Sequence, residues 1–247
     1  MLATTLLLPA SAFAEGAATT TAAPTPVPAQ CSTRVSDREA SMVRTRAEAD
    51  ARLERARGDQ DGRIAERRLA DDTRIETRRA EVDAAIMQRE ATRSAKVYKS
   101  AAQRTAVERY RATMSIAIQN RRDALNQSLQ AFRQSQNQAL NTRRSAVDAA
   151  ITARRSAVDA ALAAWKSTCA STNKDQHRVV VQTFHNAVRA AEQTYRAAVR
   201  TAMDAHRTSA KQAQDVRRAA EKQARDQYQL NARAARETLR QGLKQAK

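Results

Sequence analysis

Aromatic residues and helix-breaking residues are scarce in this chain of 247 residues. Aromatic side chains make up 3% of it, and its prolines are confined to Pro9, Pro24, Pro26 and Pro28. Large aromatic side chains fill thick cores, and proline ends helices. Because alanine, the best helix former, is abundant where proline is missing, we expect helix from about residue 36 onward around a thin core.

Patterns that support catalysis or metal binding are missing too. The three histidines, His177, His185 and His206, include no pair at the four-residue spacing that lets a helix present two metal ligands. The four glycines are too dispersed for a phosphate-binding loop. Most carboxylates have basic neighbours, whereas a general acid needs a raised pKa. We therefore predict no metal, no cofactor and no enzymatic activity.

Large apolar side chains recur at intervals of eleven residues. Eleven residues make three turns at about 3.67 residues per turn, so such positions stay on one face of a helix. The pattern predicts an all-α fold of long Ala/Arg-rich helices with an eleven-residue (hendecad) repeat, forming an elongated antiparallel three-helix bundle or coiled coil. The repeat comprises Met42, Leu53, Ile64, Ile75, Ile86 and Val97, and then Val107, Ile118, Leu129, Leu140, Ile151 and Leu162.

The two cysteines, Cys31 and Cys169, predict where the chain reverses. In an exported protein they favour an intrachain disulfide over two free or intermolecular thiols. Such a bond would fold residues 32–168 back on themselves, and the repeat slips by one residue at 98–106. A reversal there is expected, although Lys99–Ala102 contains no turn-forming residue. Capping residues at 171–175 predict a second reversal, with one unbroken helix as the alternative.

The N-terminal segment predicts export. An apolar run ends in Ala12-Phe13-Ala14, the small-x-small form of a secretory cleavage site, although a basic region before the run is missing. No other segment is apolar enough to span a membrane. We predict a periplasmic or extracellular protein. Its expected divisions are a signal peptide at 1–14, a Thr/Ala/Pro-rich tether at 15–35, and helical arms at 36–98, 99–169 and 170–247.

Charge is distributed unevenly among the three arms. The chain carries 44 basic and 26 acidic residues, and the arms in order have net charges of +1, +8 and +9. Many basic residues have an acid four positions later, as Arg46 has Asp50, which predicts ion pairs within one helix. Five arginines have a neutral polar residue there instead. We predict that these five bind polyanions: Arg111, Arg122, Arg133, Arg178 and Arg189.

A basic exported rod favours three functions. The first is a non-enzymatic spacer or scaffold of the cell envelope that contacts an anionic polymer, with self-association through its helical seam. The alternative is a periplasmic holdase of the Skp type, which the chain resembles in being exported, basic and built of long helices. The sequence contains no strand-rich segment that could form the trimerisation body of that family. The third is a lipid-surface protein, because eleven-residue repeats also occur in apolipoproteins and synucleins. The alternative to any anion binding is purely solubilising charge.

The aromatic column of the second arm helps to separate these functions. Tyr110, Phe132 and Trp165 share one helix face, in which basic residues also fall at the same interval. A lipid-binding face would be broadly apolar. The mixed column therefore favours contact with another helix over contact with lipid.

Overall fold

Three long helices form the structure. The computed structural model describes residues 27–94, 100–169 and 174–246, in which α1 covers Val27–Ser94, α2 covers Ala101–Thr168 and α3 covers Lys174–Gln245. At 1.5 Å per residue each helix is about 100 Å long. The helices pack antiparallel, and the described residues contain no strand. The predicted all-α, elongated antiparallel three-helix bundle is confirmed.

Both reversals occur near their predicted positions. The first lies between Ser94 and Ser100, where the Ser100 Oγ accepts a hydrogen bond of 3.2 Å from the Gln103 N–H and caps α2 without a glycine or proline. The second lies between Cys169 and Lys174, so the alternative of one unbroken helix is wrong. The connecting residues 95–99 and 170–173 lie outside the described residues.

The first helix begins earlier than the sequence predicts. Residues 27–35, assigned above to the tether, belong to α1. Pro28 stands in the first turn, where its missing N–H breaks no helical hydrogen bond. Val35, about two turns further along, is 1% exposed, and its burial against the other helices stabilises the beginning of α1. The signal peptide at 1–14 and the rest of the tether lie outside the described residues.

The three helices meet in an apolar cluster at one end of the rod. Cys31 and Cys169 form the predicted intrachain disulfide, with their Cα atoms 5.4 Å apart. Beside it the rings of Trp165 and Phe184 pack with their centroids 5.2 Å apart. This end cluster consists of Cys31, Val35, Leu162, Trp165, Cys169 and Phe184.

Beyond the end cluster, the two helix pairs pack differently. Small side chains, alanine at all but Ser128, are buried every eleven residues on the facing sides of α2 and α3, so these two backbones lie close together along their length. Far fewer Cα atoms of α1 approach α2, and long arginine side chains bridge that larger gap. The buried α3 alanines are Ala191, Ala202, Ala213, Ala224, Ala232 and Ala235. None of the described helices has an apolar stretch long enough to cross a membrane.

Candidate anion-binding surfaces

Arginine and aspartate side chains join α1 to α2 in a crossed ladder. Arg46 on α1 binds both carboxylate oxygens of Asp159 on α2, the shorter contact being 2.6 Å, and Arg155 on α2 binds Asp50 on α1. Bidentate pairs of this kind are strong and fix geometry. The cross recurs every eleven residues. The other ion pairs of the ladder are Arg57–Asp148, Arg144–Asp61, Arg133–Asp72 and Arg122–Asp83.

The ladder follows from the register of the two helices. The residue numbers of each pair sum to 205, as for 46 with 159 and 155 with 50. On α1 an arginine is followed four positions later by an aspartate, and α2 carries the same Arg-x-x-x-Asp unit. Because α2 runs in the opposite direction, the arginine of each unit faces the aspartate of the other. For these ion pairs, the partners predicted within one helix are found across two helices, because the antiparallel arrangement places the arginine of one helix opposite the aspartate of the other.

On α3 the predicted pairing within the helix is formed in part. Lys222 contacts Asp226 at 3.2 Å, as predicted. Asp204 and Asp215 instead contact the arginine three residues later, Arg207 at 3.3 Å and Arg218 at 4.0 Å. These pairs are exposed and contribute little to stability.

Two of the five arginines predicted to lack an acidic partner have one. Arg122 contacts Asp83, and Arg133 contacts Asp72 at 2.6 Å, so the reasoning that selected them was wrong. Their partners come from α1 and could not be found by looking four residues along α2. The neutral residues in question, Asn126 and Asn137, accept hydrogen bonds from α1 arginines. The signal for these partners in the sequence is a pair of residues on α1 and α2 whose numbers sum to 205.

The other three predicted residues have different surroundings. Arg111 is half-buried on α2. Arg178 and Arg189 are exposed on α3, and within the described residues neither has a carboxylate at salt-bridge distance. Arg189 donates to the Asn186 Oδ1 at 2.6 Å, which leaves its charge uncompensated. Arg178 and Arg189 therefore remain candidates for polyanion binding.

These two arginines begin a longer basic column on the outer face of α3. The column has one cation every eleven residues, about 16 Å apart, and every member is exposed. Sequence reasoning missed it as a continuous feature because it treated four members as internally paired. The α3 basic column consists of Arg178, Arg189, Arg200, Lys211, Lys222, Arg233 and Lys244.

Aromatic rings and arginine side chains of α2 and α3 face each other along the contact between these two helices. Facing residue numbers sum to 349, as for Trp165 with Phe184. At other steps a guanidinium lies over a ring, which is a favourable cation–π contact. The predicted interhelix contact is confirmed for Phe132 and Trp165. The distances from guanidinium carbon to ring centroid are 4.6 Å for Arg154–Tyr195, 5.0 Å for Arg217–Phe132 and 5.3 Å for Arg121–Tyr228.

One step of this series places two basic residues opposite each other. Arg143 on α2 faces His206 on α3, their numbers again summing to 349, and both line a cleft of about 660 Å³. Burial and then the charge of Arg143 lower the pKa of His206. Burial, followed by the charges of Arg144 and Arg57, lowers the pKa of Arg143. The Arg143 Nη2 donates to the Gln60 Oε1 on α1 at 3.0 Å.

Acid is expected to weaken the crossed ladder. Hydrogen bonds from the α2 arginines hold the pKa of each α1 ladder carboxyl below its ordinary value. Their stabilising contribution is complete above the unfolded pKa of about 3.9 and is lost as pH falls through the lower folded pKa. The contribution of these aspartates to the thermal midpoint should therefore stay level from pH 6 to about pH 4 and fall below that. The carboxyls are Asp50, Asp61, Asp72 and Asp83.

The control is a variant with all four of these aspartates changed to Asn. Its midpoint should be lower at pH 6, because the arginines lose their charged partners, and should decline less in acid. Circular dichroism at a series of pH values measures both effects. The same acid decline in the variant and the natural chain would contradict the assignment.

The described residues contain no cluster of three His, Cys, Asp or Glu side chains that could hold a metal. Two groups of cationic side chains lie outside the ion-pair ladder: the α3 basic column, and Arg143 with His206 at the cleft. Comparison of the chain with known protein families, curated proteins and solved structures finds no match.

Proposed function

We propose that this chain is an exported, non-enzymatic spacer or scaffold of the cell envelope, and that its α3 basic column binds an anionic polymer. The column is the observation that carries the proposal. Its seven cations run along a helix about 100 Å long, and all are exposed. A regular row of separated charges suits diffuse contact with an extended polyanion and offers no enclosed pocket for a small substrate.

The paired charges of α1 and α2 support assigning the polymer to α3. Ladder arginines are engaged by aspartates of the opposite helix, and their side chains are 20–29% exposed. A polymer would have to displace those carboxylates to reach them. The α3 basic column requires no such displacement at Arg178 or Arg189.

Export is supported by the disulfide and the N-terminal sequence. A disulfide that closes a loop of 138 residues persists in an oxidising compartment such as the periplasm or the cell exterior. The Ala12-Phe13-Ala14 sequence matches a secretory cleavage site. We propose that the chain acts in the periplasm or outside the cell. Self-association of the chains through the helical seam is part of the scaffold proposal.

Lipid binding receives less support than polymer binding. The aromatic residues that could have entered a bilayer surface, Phe132 and Trp165, are in contact with α3 side chains. A membrane-lying helix needs such residues on its open face. A holdase would instead reveal itself by suppressing the aggregation of an unfolded client.

Neutralising Arg178 and Arg189 is expected to weaken polyanion binding more than neutralising two paired arginines. The matched variants are Arg178→Gln with Arg189→Gln, and Arg207→Gln with Arg218→Gln, since each removes two charges from α3. Affinity of the chain from Glu15 onward for duplex DNA is measured by fluorescence anisotropy across a salt series. The first variant should reduce the slope of log Kd against log salt by about 1.8, and the second by less than about 1.

Equal losses in the two variants would contradict a specific role for the column. Negligible binding by the natural chain at physiological salt would overturn the polymer proposal as a whole. In that case, suppression of client aggregation would indicate the holdase, and its absence would leave the charges with a solubilising role.

A further inference from the structure

The contact between α2 and α3 changes character at Arg143 and His206. Neighbouring steps carry a ring that fills the space between the helices, as Tyr195 does beneath Arg154 with 4.6 Å between guanidinium carbon and ring centroid. At 143 and 206 no large ring is present, and small side chains such as Ala139 and Ala202 line the same stretch. The result is a cleft of about 660 Å³.

The side chains around this cleft can donate hydrogen bonds from both helices. Besides Arg143 and His206, four side-chain hydroxyl groups and two side-chain amide groups line the cleft. The lining contains no carboxylate. The Gln60 Oε1 on α1 accepts a hydrogen bond from the Arg143 Nη2 and holds the guanidinium in place. The remaining N–H groups of Arg143 can donate to a ligand. The hydroxyls and amides belong to Ser135, Thr142, Thr201, Ser209, Gln138 and Gln212.

We propose that this cleft is a binding site for a phosphate group, held between the Arg143 guanidinium and the His206 imidazole. A tetrahedral oxyanion accepts hydrogen bonds in several directions, which matches donors arranged on two facing helices. Arginine is the side chain best suited to phosphate recognition. The site lies in the helix interface, separate from the α3 basic column, and does not depend on the polymer proposal.

An anion would also relieve an unfavourable juxtaposition. In its absence, burial and the charge of Arg143 favour the neutral form of His206. Arg143 is the charged group that faces His206 from α2. A bound phosphate placed between them would offset the charge of Arg143 and favour protonation of the imidazole, which would then donate a second charge-assisted hydrogen bond. Phosphate binding should therefore raise the pKa of His206 and take up a proton from solution.

The central test is phosphate binding by two variants that alter the site in different ways. Inorganic phosphate is titrated into the full chain by calorimetry, with the His206 proton signals followed by NMR. Arg143→Gln should weaken binding about ten-fold, the effect of losing one charge-assisted hydrogen bond. His206→Tyr should abolish binding while raising the thermal midpoint, because a tyrosine opposite Arg143 recreates the Arg154–Tyr195 contact. Loss of binding could then not be attributed to unfolding.

A third variant controls for general charge. Arg207→Gln removes one exposed cation from α3, next to His206 in sequence but outside the cleft lining and outside the α3 basic column. It should leave phosphate affinity within two-fold of the natural chain. An equal loss in Arg207→Gln and Arg143→Gln would overturn the site, as would full phosphate binding by His206→Tyr.

Three probes identify the source of the phosphate group. Inorganic phosphate, linear tripolyphosphate and vesicles containing phosphatidylglycerol represent the free ion, a polymer and a lipid headgroup. Binding of any of them that is lost in His206→Tyr supports the site and names its source. Equal binding of polyglutamate with the same dependence on His206 would overturn the assignment to phosphate, and no binding of any probe would overturn the site.

Discussion

Loss of the Cys31–Cys169 disulfide is expected to lower the free energy of unfolding by about 3–5 kcal/mol. The bond joins residues 138 positions apart, so it removes much of the conformational freedom of the unfolded chain. It also connects the beginning of α1 to the end of α2. Those two helices share few close backbone contacts, and much of their other contact consists of half-exposed ion pairs. The effect should therefore be concentrated on the attachment of α1.

Urea unfolding with and without reductant, followed by circular dichroism, measures this effect. The double variant Cys31→Ser with Cys169→Ser should match the reduced natural chain, and reductant should not change it further. Hydrogen exchange should show faster exchange in α1 than in α2 after reduction. Identical unfolding midpoints in oxidised and reduced protein would contradict a stabilising role for the bond.

Phe184→Ala is expected to cost about 3–5 kcal/mol of unfolding free energy. Phe184 is 2% exposed in the end cluster and packs against Trp165, with ring centroids 5.2 Å apart. Replacement by alanine removes buried apolar surface and leaves a cavity that the disulfide-linked helix ends cannot readily close. Little other large apolar core is present to compensate, because the buried described positions outside the end cluster are mainly alanine.

Val179→Ala is the matched control, since Val179 lies on the same helix but is 64% exposed. It should change the unfolding free energy by less than about 0.5 kcal/mol. Urea unfolding is followed both by circular dichroism and by the fluorescence of Trp165, the one tryptophan of the chain. Similar losses in the two variants would show that the end cluster does not dominate the stability of the rod.

The helices could be predicted because local signals determine them, and the disulfide because an exported chain with two cysteines favours their pairing. The long run without proline, the eleven-residue interval and the capping residues each act over a few turns of one chain segment. The start of α1 was predicted too late because burial of Val35 against the other helices stabilises a turn that composition alone places in a tether. Contact between distant segments was the missing information.

The charge partners could be predicted only in part. Lys222 and Asp226 pair within α3, where no other helix competes for the outer face. Arg122 and Arg133 pair with α1, and that outcome depends on which residues face each other across the reversal. A shift of one residue turns a helix by about 100° and would give every arginine a different neighbour.

The amino-acid sequence by itself therefore determined helix along most of the chain, because helix preference is local, and it favoured the two reversals and the cysteine pair over one unbroken helix and free or intermolecular thiols. Only the tertiary structure decided which cations are neutralised and which remain available. It assigned Arg122 and Arg133 to the crossed ladder, left Arg178 and Arg189 exposed, and placed Arg143 opposite His206. The physical reason is that charge compensation depends on distances of a few ångströms between helices, which the register of the folded bundle determines.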